Sequence, residues 1–339
     1  MAMAQTDARA RVVDLITGCW GTQVVHVAVR LKVFDLLAQG PRAAADLSAE
    51  TGSNASAFLR LMRALAAVDL VRHLDGDRFE LTEGGQLLRS DAPGSIRGMA
   101  LHWGERLWGA LSQLDQSVKT GEPWRISGLG GFQHMASDPD QMAMFHQSMT
   151  DQTSHAAAAL LGAYDFGRFG AVMDVGGSYG ALLAAVLKAH PQLTGQVFDL
   201  PDLAATSSAY LAGAGVSSRG RFVGGSFFDE VPAGADVYML KTVIHDWDNE
   251  KSVAILANCR KAAGQGGKVL LIERIAPKLV EPEPDQMITT RGDILMLTAA
   301  GGIERTEDQY RDLFARAGLR LATLTATPSG HSIMEAVAA

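Results

Sequence analysis

The chain has 339 residues, 47% hydrophobic and 20% charged, which suits two folded domains and excludes intrinsic disorder as its overall state. Lys and Arg total 30 against 37 Asp and Glu, and the net charge of -7 disfavours a polyanion such as DNA or RNA as the main partner. The two cysteines, Cys19 and Cys259, make neither a disulfide framework nor a CxxC metal pattern, so a reducing cytoplasm is expected, with no export signal and no membrane span.

After a polar tail over residues 1–11, the spacing of Val13, Ile16, Trp20, Val24, Val27, Leu31, Phe34 and Leu37 predicts one amphipathic helix over 12–39, stopped at Gly40 and Pro41. Residues 44–90 read as helix, turn, helix and a two-stranded wing around Asp75-Gly76, a winged-helix pattern. Its six Arg and no Lys between 42 and 90 face seven acidic residues, so the module is expected to pack or dimerise rather than to read DNA. The stretch 95–165 is helical and rich in Met and aromatics, with Pro123 and a glycine-rich bend at Gly128 to Gly131. It is expected to connect the halves and face the later site.

From residue 171 short apolar runs alternate with helical segments. AVMDVGG, GQVFDL, RFVGGS, ADVYMLK and GKVLLIE each read as a buried strand, which predicts a parallel sheet covered on both faces. LRLATLTAT and HSIMEAVA, joined through Pro328-Ser329-Gly330, predict a closing hairpin with an antiparallel edge strand.

The DVGGSYG turn follows the first of these strands and opens a helix, so its backbone N–H groups and the helix N-terminus can approach an anionic group. Its glycines, Gly176, Gly177 and Gly180, do not match GxGxxG, and an acid two positions before the first glycine suits an adenosyl amino acid instead of a dinucleotide. Asp199, ending the next strand, is placed to accept from ribose hydroxyls. His245 follows the fourth strand at the edge where such sheets hold ligands, with Lys241, Asp246 and Trp247 as neighbours. It fits a structural histidine or an acid/base group, and no metal-ligand spacing surrounds it. A group of near-neutral pKa suits removal of a phenolic proton, and Glu273 or Glu304 could orient the ring. Glu304 also reads as a structural acid heading a helix that Thr306 caps.

With DVGGSYG, FDLP, GGSFF, LKTVIHDW, LLIE and GGIERTE in this order, the chain resembles the S-adenosylmethionine-dependent small-molecule O-methyltransferases of the plant caffeic-acid type, whose bacterial relatives tailor aromatic polyketides and phenazines. The resemblance implies a Rossmann-like α/β sheet over 101–339, preceded by an α-helical winged-helix dimerisation domain over 1–100, and hence a homodimer. It implies His245 as general base flanked by Glu273 and Glu304. It places Gly176 and Gly177 at the methionine end of the cofactor, Asp199 at the ribose, Ser226 and Phe227 at the adenine, and Lys241 and Trp247 close by. Ser226 stands where many members have Asp, and Ser178 where the loop often has a third glycine.

An aromatic acceptor would suit the thioether and aromatic side chains of Phe145, Met149, Leu295 and Met296, a stripe that equally fits ordinary core. Two alternatives stay open: a cofactor-binding relative that hydroxylates or decarboxylates, and a ligand-responsive winged-helix regulator of DNA.

Overall fold

Apolar periodicity and turn chemistry produce two compact units in the computed structural model, which describes residues 8–126, 129–130 and 138–339. The first holds the chain up to residue 109 together with 143–151, and the second holds 110–142 and 152–339. Of the expected features, the start of the polar tail and the bend glycines Gly128 and Gly131 lie outside the described residues.

In the first unit, the single helix expected over 12–39 is three: Ala8–Thr17, Cys19–Arg30 and Val33–Leu36. The second break falls at Lys32, whose φ of 56° is left-handed and ends the helical path. The apolar stripe is divided accordingly. Phe34 and Leu37 enter a core with Val29, Leu47, Phe58, Met62, Leu65 and Phe79, while Val13, Ile16 and Trp20 stay on the surface. Taken together, Ala8–Arg30 form a 23-residue helical run that is long and apolar enough to cross a membrane by length and composition alone, although it holds no 18 consecutive apolar residues.

Asn54 caps the helix Ala55–Ala67 by accepting from the Ala57 N–H. Strand β1 (Arg42–Ala43) pairs antiparallel with β3 (Arg78–Leu81), which pairs with β2 (Val71–Leu74); Gly76 and Asp77 turn the wing with φ of 72° and 51°.

The second unit contains a two-residue pair, β4 (Arg125–Ile126) with β5 (Leu129–Gly130), and a seven-stranded sheet. That sheet comprises β6 (Ala171–Val175), β7 (Thr194–Asp199), β8 (Gly220–Gly224), β9 (Val237–Lys241), β10 (Lys268–Glu273), β11 (Leu319–Ala326) and β12 (Ser332–Ala338), in the order β11-β12-β10-β9-β6-β7-β8. The five strands β6 to β10 are parallel, as their continuous apolar runs require. The expected hairpin closes the sheet, and its edge strand pairs antiparallel with its neighbour. The reversed strand is β12, one in from the edge and antiparallel to both neighbours, and β11 forms the edge.

Successive β9 side chains serve opposite layers. Val237 and Met239 pack with Leu183 and Leu187 of the helix Ala181–Ala189. Tyr238 and Leu240 pack with Ile255 and Leu256 of the helix Asn249–Ala263 and with Tyr310 and Phe314 of the helix Glu307–Arg316. The chain runs outward from β6 to β8 and returns to β9 on the other side of β6, so the strand order reverses between β6 and β9. The crevice beyond the carboxyl ends of these two strands is where an open α/β sheet takes a ligand.

Close helix-on-sheet packing depends on Gly195 in β7, where an added Cβ would lie 2.4 Å from Leu183 Cδ1 and 2.9 Å from Val172 Cγ2. Gly195→Ala is expected to lower the unfolding free energy by about 1–3 kcal/mol. Gly266→Ala, with nothing within 4 Å of its added Cβ, should stay within about 0.5 kcal/mol of the parent. Denaturant titration of both variants checks the contrast, and equal effects would contradict it.

Candidate active site

The β6 turn is built by left-handed backbone. Gly176 and Gly180 have φ of 70° and 88°, and Ser178 adopts 53° without being glycine. Gly176 N–H donates to Phe198 O, tying the turn to β7. A Cβ at Gly176 would meet Val243 at 2.9 Å and the Phe227 ring at 3.6 Å, and one at Gly177 would strike the Asp174 carboxylate at 2.7 Å. Bare backbone is therefore what leaves room here. Asp174, buried at the end of β6, accepts from Leu183 N–H in the first turn of the following helix; burial pushes its pKa up to about 7.

Asp199 at the end of β7 accepts from Ser178 N–H at 2.8 Å and from Leu200 N–H at 2.7 Å. Each oxygen takes one backbone donor, so the carboxylate is fixed in orientation and keeps lone pairs for a diol. Burial raises its pKa against the opposing pull of those two N–H groups. Beyond β8, Ser226 Oγ accepts from Phe228 N–H, and Asn258 donates to the carbonyls of Phe227 and Phe228. The Phe227 ring meets Phe228 at 4.9 Å and Trp247 at 6.0 Å, edge to face in both cases. Oriented carboxylate, bare turn and aromatic wall together fit a nucleoside bearing a small charged chain.

His245 sits on the turn Ile244–Asp246, just after β9. The turn is entered through Thr242, another non-glycine residue at positive φ, 51°. His245 Nδ1 lies 2.9 Å from Glu304 Oε1 and 3.9 Å from Glu273 Oε2, and Nε2 lies 3.6 Å from Asp246 Oδ1. Glu304 and Glu273 thus flank the ring unequally. Glu304 is in hydrogen-bond range, whereas Glu273 spends Oε1 on the backbone N–H groups of Val243 and Ile244.

Burial disfavours a charged imidazole here, yet the pull of Glu273, then Asp246, then the bond to Glu304 outweighs it and holds the His245 pKa well above 6.5. The same burial raises Glu273 and Asp246. Lys241, at the end of β9, is pushed down to about 8 by burial although Glu273 and Asp174 oppose this. Carboxylates outnumber cationic groups, a balance that suits a positively charged ligand. Among the described residues no group of three or more His, Cys, Asp or Glu is arranged to hold a metal ion.

The other expected site residues divide between the units. Leu295 is buried and Met296 partly buried where the helix Pro284–Leu295 passes into the wider turn Met296–Ala300, in the unit that carries His245. Phe145 and Met149 belong to the 143–151 stretch of the first unit, where Phe145 packs edge-on against His102 and His146.

Glu304 does not head a helix. Thr306 caps Glu307–Arg316 through a capping box with Gln309, which leaves Glu304 free to reach the imidazole. Two residues went unremarked in the sequence. Asp293 Oδ1 accepts from Glu304 N–H at 2.9 Å, and Arg305 donates to the carbonyls of Ile244 and Trp247 on either side of His245. For Arg305 the signal was its place directly after Glu304; for Asp293 there was none.

Comparison with known proteins agrees with this architecture. Residues 111–320 match the O-methyltransferase domain model and residues 13–91 the O-methyltransferase dimerisation domain model. The chain is 38% identical to phenazine O-methyltransferase PhzM of Lysobacter antibioticus over 95% of its own length and 94% of that protein. It superposes on the crystal structure of LaPhzM with a TM-score of 0.94 at 37% identity, covering 98% of this chain and all of the other. It also superposes on NcsB1, an O-methyltransferase from neocarzinostatin biosynthesis crystallised with S-adenosylmethionine and 2-hydroxy-5-methyl naphthoic acid, with a TM-score of 0.79 at 35% identity over 99% and 100% of the two chains. Fold, strand-end residues and these matches together establish that the chain belongs to the S-adenosylmethionine-dependent O-methyltransferase family.

Proposed function

We propose that this enzyme methylates a hydroxyl group of an aromatic small molecule, with His245 as general base. The observation that carries the reading is the 2.9 Å contact of His245 Nδ1 with Glu304, which keeps Nδ1–H toward the carboxylate and leaves Nε2 to take the acceptor's proton. The phenazine and naphthoic acid named for the relatives support a flat aromatic acceptor. Leu295 and Met296 offer it an apolar surface.

Gly176 and Gly177 would hold the amino-acid end of the cofactor, Asp199 its ribose, and Ser226, Phe227 and Trp247 its adenine, with Lys241 beside them. When bound, S-adenosylmethionine supplies a methyl group already activated by the positive sulfur. The chain's own part is then to orient the acceptor, exclude water and remove one proton.

Incubation with methyl-labelled cofactor and a panel of phenols, hydroxyphenazines, hydroxynaphthoates and arylamines tests this directly. Label is expected on phenolic oxygen, and His245→Ala should lower turnover by roughly 100-fold or more with cofactor affinity within a few-fold. Label confined to nitrogen, or near-normal turnover in the variant, would refute it.

A base held protonated by its neighbours must lose that proton before it can act, so kcat/KM should rise with pH above about 6.5. Glu273→Gln removes one of the anions that hold the proton while keeping an acceptor for Val243 and Ile244 N–H. Its rising limb should lie at lower pH than that of the parent. A limb that stays in place or moves upward in pH–rate profiles would contradict the assignment.

We also read the chain as a homodimer. This rests on the dimerisation-domain match and on Val13, Ile16 and Trp20, which are 47%, 71% and 46% exposed on the single chain. The apolar run Ala8–Arg30 then meets a second copy rather than lipid or nucleic acid, and a cytoplasmic enzyme with two unpaired cysteines is consistent with this. Sedimentation should give about twice 36.0 kDa. Ile16→Asp should shift it toward the single-chain mass, and a monomeric parent would exclude the dimer.

A further inference from the structure

We infer that Arg305 is a positioning residue for the imidazole of His245, an inference that rests on His245 being the base. Arg305 is wholly buried and heads the fully enclosed side chains by size. Among the described residues no carboxylate comes within ion-pair distance of it. Its donors go instead to Ile244 O at 3.0 Å, Trp247 O at 2.6 Å and Asn249 Oδ1 at 3.0 Å. Glu273, Asp248 and Glu304 favour its charge only from beyond ion-pair distance, so burying this guanidinium is costly, and an apolar side chain of similar volume would ordinarily be the more stable occupant. What only the planar fork provides is simultaneous donation in three fixed directions. All three acceptors lie on residues 244–249, the segment that contains His245.

The turn is therefore held from both sides. Glu273 takes the N–H groups of Val243 and Ile244, and Arg305 takes the carbonyls of Ile244 and Trp247. Ile303 N–H closes the third side on His245 O at 2.8 Å, where Gly302 packs so tightly that a Cβ would lie 1.9 Å from that oxygen. Glu304, which orients the ring, and Arg305, which fixes the backbone carrying it, are consecutive residues. Ring and backbone are thus set from one short piece of chain, and the imidazole's position relative to Glu304 depends on the fork staying in place.

Arg305→Lys retains a positive charge but cannot span the three acceptors. Steady-state kinetics of the dimeric enzyme with its best phenolic acceptor should show kcat lower by on the order of 10²-fold, with KM and cofactor Kd within about 3-fold. In ¹⁵N-labelled protein the His245 Nδ1–H resonance, identified by its loss in His245→Ala, should move upfield as the bond to Glu304 loosens. If Arg305→Lys does not fold, Asn249→Ala carries the test. It keeps the guanidinium, removes one acceptor, and should give a smaller kcat loss with the same direction of resonance shift.

A folded variant with kcat within two-fold of the parent overturns the inference. So does a loss shared equally between kcat and cofactor affinity with the resonance unmoved. His245→Ala measured alongside separates the two readings: if it keeps turnover, the base assignment falls, whereas an inactive His245→Ala beside a fully active Arg305→Lys removes only the role of Arg305.

Discussion

Between His245 and Glu304 a single 2.9 Å contact joins segments 59 residues apart in the chain. A buried imidazole is disfavoured as a cation by lost hydration, and it keeps its proton only where anions compensate. The ends of the parallel strands supply them. The sheet delivers Glu273 from β10 and the His245 turn from β9, and the segment before the helix Glu307–Arg316 returns over the same edge with Glu304. Neighbouring β6 and β7 bring Asp174 and Asp199 to that edge too. The strand order that places a reversal between β6 and β9 is what makes one crevice of these groups.

Much of this was readable from the residues. Runs such as VYML in β9 are apolar without alternation because both faces are covered, and that pattern survives translation into structure almost unaltered. The strand-end residues follow at once, since the first polar group after such a run must sit at the sheet's edge. Pairing order is different. Nothing local in LRLATLTAT or HSIMEAVA says which strand lies inside, so the position of β12 next to β10 emerged only from the folded sheet. The break at Lys32 was equally silent, because a left-handed lysine carries no compositional mark.

Residue-type expectation also hid the arginine. Arg is normally exposed, and nothing in GGIERTE marks Arg305 as a core residue until its guanidinium is found fully enclosed. Glu304 had two plausible roles, helix acid and imidazole partner, and the cap at Thr306 decides between them by starting the helix later. The positive φ angles of Ser178 and Thr242 also depart from local preference. Both fall at strand ends beside the crevice, where tertiary contacts outweigh backbone strain and aim neighbouring groups inward.

A turn pinned on three sides by Glu273, Arg305 and Ile303 has little freedom to adapt to a new acceptor. Diversification of such an enzyme is therefore confined to surfaces that carry no part of the brace. The apolar stretch at Leu295 and Met296 is one of these, since its side chains are absent from the hydrogen bonds that fix the imidazole. On the proposal that His245 removes the acceptor's proton and that Leu295 and Met296 face the acceptor, acceptor preference and proton removal become separable traits, so the first can drift under selection or be redesigned while the second is inherited intact.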